Sequence, residues 1–402
     1  MDERWEFVDT FLKKQTEHGL RRSLRPLSSF ESAARISCQG RLLLNLASND
    51  YLGLKNDPRL VEAARKAARK WGVGSGASRL VSGTTELHAA VEQKLARFHR
   101  TESALTFSSG YAAGVGVIQA LAGRGDRIYL DRHCHACLYD GARVSGARIE
   151  RFRHNDKDHL ESLLTRHSAH RGKTLVVADT VFSMDGDRAP LKQIAEICRK
   201  HGALFLADEA HAVGVLGPHG RGLAAECGLG GEDVVIMGTL GKAFGVAGAY
   251  IACPEKLRDY LINTCRSFIY STAPPPLLLG AVEKSLEIIE TAHEQRKRLL
   301  AMAERLRDLL NKRGVDTLQS STQIVPAVVG EVERSVDLSE KLFRQGIFAP
   351  AIRPPTVAQD TSRVRFSLTA ALSDEDFDSL LEGVGKVLEA MKNVFEKKTV
   401  RS

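Results

Sequence analysis

Val234-Val-Ile-Met-Gly-Thr-Leu-Gly-Lys242-Ala-Phe-Gly-Val-Ala-Gly248 is an apolar run of strand length that gives out into glycines around a single lysine. A lysine sheltered by apolar and glycine neighbours loses hydration, exposes its neutral amine and can condense with a carbonyl. A surface lysine in a Gly-rich turn has the same local sequence, so the reading turns on what surrounds it.

Outward from this stretch, short apolar runs alternate with helical segments from residue 100 to about 253. The expected strands are Ser103 to Phe107, Arg127 to Leu130, Thr174 to Ala178, Ala203 to Ala207, Val234 to Met237 and Ala249 to Ala252. Helices between them include Tyr111 to Leu121 and Leu191 to His201. That rhythm implies a mainly parallel sheet with helices on both faces, and ligands gather at the carboxyl ends of such strands. Pro274-Pro-Pro276 interrupts the pattern. Beyond it come helical stripes (Leu299, Met302, Leu306, Leu309; then Phe377, Leu380, Leu381, Val384, Leu388, Met391) around strand-like Gln323 to Val329 and Arg363 to Leu368. The expected domains are an N-terminal arm and segment over 1–55, a large domain over 56–283 and a smaller α+β domain over 284–402. Trp5, Val8, Phe11 and Leu12 recur at helical spacing in the arm, which could embrace a partner subunit or pack on its own domain.

Composition excludes several classes. No apolar run approaches the roughly 18 residues of a membrane span. The N-terminal Met1-Asp-Glu-Arg-Trp-Glu has no apolar core of a secretory signal, and seven scattered cysteines suit a reducing compartment, so a cytoplasmic home is expected. The net charge of +8 is spread along helices with few interleaved aromatics, which favours an acidic or phosphorylated small partner over nucleic acid. His133-Cys-His-Ala-Cys137 has ligand-type residues, but no second pair recurs downstream at zinc-knuckle spacing, and no metal is expected.

Each chemical candidate lies just beyond a strand. Ser108-Ser109-Gly110-Tyr111 opens a helix, where free N–H groups and the helix dipole suit a phosphate; ordinary serine N-capping is the alternative. Asp208-Glu-Ala-His211 spells a helicase box, but the phosphate loop that function needs is missing, since Ile236 and Ala243 stand where it requires Gly and Ser or Thr. What remains is a carboxylate with a histidine, able to hold one heterocycle. His135 could stack on an aromatic ring. A phosphate cradle, a ring stacker, a carboxylate, a histidine and a sheltered lysine are together what pyridoxal phosphate requires.

Ser48-Asn-Asp-Tyr-Leu-Gly53, Gly74-Ser-Gly-Ala-Ser-Arg-Leu-Val-Ser-Gly83, Val181-Phe-Ser-Met-Asp-Gly-Asp187, Asp208-Glu-Ala-His211, Gly238-Thr-Leu-Gly-Lys242-Ala-Phe-Gly and Tyr270-Ser-Thr-Ala-Pro, in this order, resemble the α-oxoamine synthases over nearly the whole chain. The resemblance implies a fold type I pyridoxal-phosphate transferase with a mainly parallel seven-stranded sheet, homodimeric with active sites at the subunit interface. It joins a small amino acid to an acyl thioester and releases carbon dioxide. Ala351-Ile-Arg353-Pro-Pro-Thr-Val357 with Arg363-Val-Arg365 is similar to the biotin-pathway branch, which implies L-alanine and pimeloyl-CoA or pimeloyl-acyl-carrier protein. A glycine-using member of the family is the alternative, and a non-catalytic partner subunit a more distant one. Residue by residue, the resemblance makes Lys242 the imine lysine, His135 the ring stacker and Asp208 the partner of the pyridinium nitrogen. His211 and Ser183 fall beside the phenolic oxygen, while Ser109, Gly110, Tyr111 and Thr239 fall around the phosphate. Ser271 and Thr272 reach the neighbouring subunit's phosphate. Arg21, Asn49, Arg353, Thr356 and Arg365 are substrate-side, Arg365 clamping the amino-acid carboxylate. The chain departs from the resemblance at Val357-Ala-Gln-Asp360, where the family often reads Val-Pro-x-Gly, and at Asp179, where the biotin-pathway branch has glutamate.

Overall fold

The computed structural model describes residues 3–392, so Met1 and Asp2 of the expected arm lie outside the described residues. Contacts divide the chain into a larger unit, Asn49–Ser183 with Asp187–Arg298, and a smaller one that takes residues up to Ser48, Met184–Gly186 and those from Leu299 on. The expected boundaries at 55 and 283 therefore differ from those observed, for reasons of pairing. Strands β1 (Ser29–Phe30), β2 (Arg35–Cys38) and β3 (Arg41–Asn45) form an antiparallel sheet whose β3 also pairs in parallel with residues 347–348. The N-terminal segment is thus part of the C-terminal unit. Helix Pro276–Thr291 stays in the larger unit because Gly280 lets it approach Ala63 and Ala67 of helix Pro58–Trp71 closely: a Cβ there would lie 2.6 Å from that of Ala67.

The larger unit holds β4 (Ser103–Phe107), β5 (Arg127–Asp131), β6 (Arg148–Phe152), β7 (Thr174–Asp179), β8 (Leu204–Asp208), β9 (Val235–Thr239) and β10 (Ala249–Cys253), in the order β4-β10-β9-β8-β7-β5-β6. The five strands from β6 to β9 are mutually parallel. β10 runs against both β9 and β4, so β4 points the same way as those five. The carboxyl ends of β4, β5, β7, β8 and β9 therefore share one edge of the sheet. Leu105, Ile128, Val177, Leu206, Met237 and Ile251 are buried with Val117 and Ile118 of helix Gly110–Leu121, forming one core. Burying each such side chain contributes about 1.5–3 kcal/mol, which fixes the edge rigidly. β6 is the strand that went unnamed in the sequence: Arg148-Ile-Glu-Arg-Phe is charged, lies at the sheet's end and buries only Phe152 fully.

In the smaller unit, β11 (Ile324–Gly330), β12 (Ile347–Phe348), β13 (Ala351–Ile352) and β14 (Ser362–Ser367) include the three-stranded antiparallel sheet β11-β14-β13. Leu299, Met302, Leu306 and Leu310 are the buried stripe of the helix ending at Lys312; Leu310 takes the place expected of Leu309, which is half-buried. Helix Glu6–Glu17 buries none of its residues, and Trp5, Phe7 and Phe11 are 60%, 69% and 59% exposed. Among the described residues no helix is long and apolar enough to cross a membrane.

Candidate active site at the carboxyl edge of the sheet

The connection from β9 to β10 carries Lys242. Leu240 N–H donates to Gly248 O (2.9 Å), Val246 N–H to Leu240 O (2.9 Å) and Gly245 N–H to Lys242 O (2.8 Å), closing a tight loop. Gly245 has φ +69°, and a Cβ on it would lie 2.5 Å from Lys55 N, so only glycine serves there. Lys242 Nζ is 2.9 Å from His211 Nε2. The other ring nitrogen, Nδ1, is 2.5 Å from the hydroxyl of Tyr51, which donates to Asn49 Oδ1 at 3.2 Å. Lys242, His211 and Asn49 thus come together, and Tyr51, which was not singled out in the sequence, joins them. The signal for Tyr51 was its place two residues after Asn49 in the Ser48–Gly53 turn.

Asp208 ends β8 and pairs in register with Asp179 at the end of β7. Both are buried, with Asp208 accepting from Ala210 N–H (2.9 Å) and Asp179 from His135 N–H (3.2 Å). Burial pushes both carboxyls above the usual range; the Lys242 ammonium pulls Asp208 back, whereas Asp208 drives Asp179 further up. Two carboxylates in one low-dielectric site do not both ionise cheaply. The Lys242 ammonium thus favours the charged form of Asp208, and Asp208 in turn disfavours the charged form of Asp179.

His135 caps helix Ala136–Ser145, its Nδ1 accepting from Cys137 N–H at 3.3 Å. Burial of its inner side lowers its pKa below the usual imidazole value, with Asp208 opposing and Lys242 reinforcing the shift. A neutral flat ring suits stacking. Burial also pushes the thiols of Cys134 and Cys137 upward, and Cys134 Sγ donates to Val177 O at 3.4 Å.

The turn bearing His135 is held by a second cluster. Asp131 accepts from His133 N–H (2.7 Å) and Asn155 N–H (2.8 Å), and His154 bridges Asp131 (2.9 Å) to Asp187 (2.8 Å) through its two ring nitrogens. His133 stacks on His154 with ring centroids 4.1 Å apart. Burial opposes the charge on His154, but the hydrogen bonds to Asp131 and Asp187 carry its pKa up to about 10.

Ser109 is the N-cap of helix Gly110–Leu121, its Oγ accepting from Ala112 N–H at 3.1 Å. Capping and anion binding are compatible here, because the first-turn N–H groups of Gly110 and Tyr111 have no partner within a helix. A Cβ on Gly110 would lie 2.9 Å from Thr239 Cγ2, and Thr239 Oγ1 is buried without a hydrogen-bond partner among the described residues. A helix N-terminus facing an orphaned buried hydroxyl is a cradle that a phosphate would complete. With the lysine, the His135 imidazole and the Asp208 carboxyl, the residues fit pyridoxal phosphate. Tyr111 turns its hydroxyl to Asp140 and is exposed. Ser183 lies half-buried after β7, and Ser271 and Thr272 follow a short helix where Thr272 pairs with Ser78 and Ala273 N–H donates to Ala77 O at 3.0 Å.

Arg21, Arg353, Thr356 and Arg365 belong to the smaller unit. Arg365 is buried on β14, the middle strand of its sheet. Arg353 donates to Gly19 O, and Arg22 donates to Thr356 Oγ1 at 3.0 Å. Burial, with the neighbouring Arg22 and Arg25 charges, lowers the Arg353 pKa. Arg21, which the resemblance makes a substrate-side residue, donates to Thr16 Oγ1 at 3.5 Å.

The chain belongs to the aminotransferase class I and II family, whose model matches residues 41–384. It is 45% identical over 378 residues to an 8-amino-7-oxononanoate synthase of Geobacter sulfurreducens, covering 94% of this chain and 96% of the relative. Among solved structures, a serine palmitoyltransferase from S. paucimobilis with bound PLP superposes with a TM-score of 0.91 at 31% identity, over 96% of this chain and 98% of that one. The 8-amino-7-oxononanoate synthase of Francisella tularensis superposes with a TM-score of 0.76 at 27% identity, over 87% of this chain and 98% of that one.

Proposed function

We propose that the chain is a pyridoxal-phosphate-dependent acyltransferase that condenses L-alanine with a pimeloyl thioester, of CoA or acyl-carrier protein. The products are 8-amino-7-oxononanoate, carbon dioxide and free thiol, a step of biotin biosynthesis. The observation that carries this reading is the convergence of Lys242, His211, Asp208, His135 and the Gly110–Thr239 cradle at one sheet edge, in a chain whose relatives carry that activity in their names.

Lys242 would hold the cofactor, Asp208 would face its ring nitrogen, His135 its ring, and Ser109, Gly110, Tyr111 and Thr239 its phosphate, with His211 and Ser183 beside the phenolic oxygen. When bound, the group supplies an electron sink that stabilises negative charge at the amino acid's α-carbon. Lys242 Nζ takes the α-proton and returns it to the product, a task for an amine whose proton is shared with His211. The Lys242 ammonium favours a negative charge on Asp208 at the ring, while burial and the neighbouring Asp208 push the Asp179 carboxyl up. His211 and Asn49 offer hydrogen bonds to the developing ketone or carboxylate. Arg365 binds the amino-acid carboxylate, while Arg21, Arg353 and Thr356 recognise the acyl chain. The excess of basic residues suits either anionic thioester. The protein works as a cytoplasmic homodimer with active sites at the subunit interface, Ser271 and Thr272 reaching the neighbour's phosphate. The uncovered Trp5, Phe7 and Phe11 face and the seven free thiols support the dimer and the compartment.

The test is release of free thiol from pimeloyl-CoA by the purified protein with pyridoxal phosphate. Release is expected with alanine and only weakly with glycine. Exclusive use of glycine overturns the choice of amino acid, and no release with any pairing of small amino acid and acyl thioester would leave a non-catalytic subunit.

A further inference from the structure

We infer that Tyr51 is a positioning residue that fixes the tautomer of His211 and, through it, keeps a proton on Lys242 in the protein before cofactor is bound. The inference rests on the reading of Lys242 as the reactive amine.

The argument runs along one line of hydrogen bonds. Asn49 Oδ1 is a carbonyl oxygen and can only accept, so the hydroxyl proton of Tyr51 is spent on it at 3.2 Å. The tyrosine oxygen, 2.5 Å from His211 Nδ1, is then left to accept, which requires the imidazole proton to sit on Nδ1. Nε2 consequently presents a lone pair to Lys242 Nζ at 2.9 Å, and the amine answers as a donor, the protonated form being the better one. Rotating the tyrosine hydroxyl from Asn49 to Nδ1 reverses every link: Nε2–H would face Lys242, which would then accept as a neutral amine. One hydroxyl rotor thus has two settings that match the two protonation states of the lysine.

The geometry around the rotor is built to hold it. Tyr51 is wholly buried, so water does not replace its hydroxyl. Its turn is closed by Tyr51 N–H to Asn49 O (2.8 Å) and fastened by Asp50, whose carboxylate accepts from Leu54 N–H (2.8 Å) and Lys55 N–H (3.2 Å). Gly245 of the lysine loop lies against the same Leu54–Lys55 backbone. The tyrosine turn and the lysine loop are therefore packed directly on each other. Other groups also feel the Lys242 charge: the Asp208 and Asp179 carboxyls, the His135 imidazole and the Cys137 thiol. None of these is altered by removing one hydroxyl, which makes Tyr51→Phe a narrow probe.

The test uses the full chain without cofactor. A limiting amount of acetic anhydride is applied across a pH series, and acetylation of Lys242 is read by peptide mass spectrometry against the surface lysines Lys284 and Lys341 of the same sample. In Tyr51→Phe the labelling midpoint of Lys242 is expected to fall by about one pH unit, the size of one hydrogen bond to a charged group, while the reference lysines stay in place. A Lys242 midpoint that is unchanged or raised overturns the inference, and a merely structural role for Tyr51 leaves it unchanged. Nitrogen-15 NMR of the wild-type imidazoles is the second measurement and does not depend on the variant folding: His211 protonated on Nδ1 supports the inference, and His211 protonated on Nε2 overturns it. Failure of the protein to bind pyridoxal phosphate counts against the proposed function alone, since both readouts are taken without it.

Discussion

Two histidine clusters occupy the same edge of the large sheet and solve opposite problems. In the first, His211 sits between Lys242 and Tyr51, and the hydroxyl of Tyr51 sets which ring nitrogen carries its proton. In the second, His154 is bridged by Asp131 and Asp187 and is locked in the charged form, its pKa about 10. One imidazole is hydrogen-bonded to the reactive amine where chemistry happens; the other is an ion-paired group that fastens the turn carrying His135. A buried charge is tolerated only when paired on every side, and pairing on every side removes it from catalysis. Damage to the first cluster should therefore appear in turnover, and damage to the second in stability.

Lys242→Ala is the sharpest break. Activity is expected to fall by at least about a thousandfold, equivalent to about 4 kcal/mol, with the melting temperature preserved; steady-state rates beside a thermal melt check both halves. His154→Ala should cost about 3 kcal/mol in urea unfolding, because it strands two carboxylates, one of them fully buried. The pH dependence follows from the sign of the shift. A histidine whose pKa is raised by folding stabilises fully below the unfolded value of about 6.5 and loses that contribution as pH rises through about 10. Unfolding midpoints of the wild type measured from pH 6 to 10 are thus expected to decline more steeply than those of His154→Ala. Asp208→Asn should lower turnover by roughly a hundredfold, about 2.7 kcal/mol, with little change in melting. Thr239→Val, which removes the orphaned hydroxyl, should weaken pyridoxal phosphate binding only about fivefold in a fluorescence titration, about 1 kcal/mol.

Lys242, Asp208, His135 and the Ser109–Tyr111 turn were legible in the sequence because each follows an apolar run whose length and flanks mark it as a strand. Parallel strands place such residues on one edge whatever their separation along the chain. β6 was not legible, since an edge strand half-open to solvent needs no apolar run. Nor were the pairings legible: Tyr51 and His211 are 160 residues apart, and His154 stands 23 and 33 residues from its two carboxylates. Nothing local to Phe152-Arg-His-Asn-Asp156 distinguishes it from an ordinary polar turn. The place of the N-terminal segment was hidden for the same reason, because its partner strand β12 lies some three hundred residues on.

The central claim is that Lys242 is the amine that holds the cofactor. Incubating the protein with pyridoxal phosphate, reducing it with borohydride and mapping the digest by mass spectrometry tests this directly. A pyridoxyl phosphate mass on the peptide containing Lys242, and its disappearance in Lys242→Ala, is the expected result. The same mass on another lysine, or on none, would contradict it.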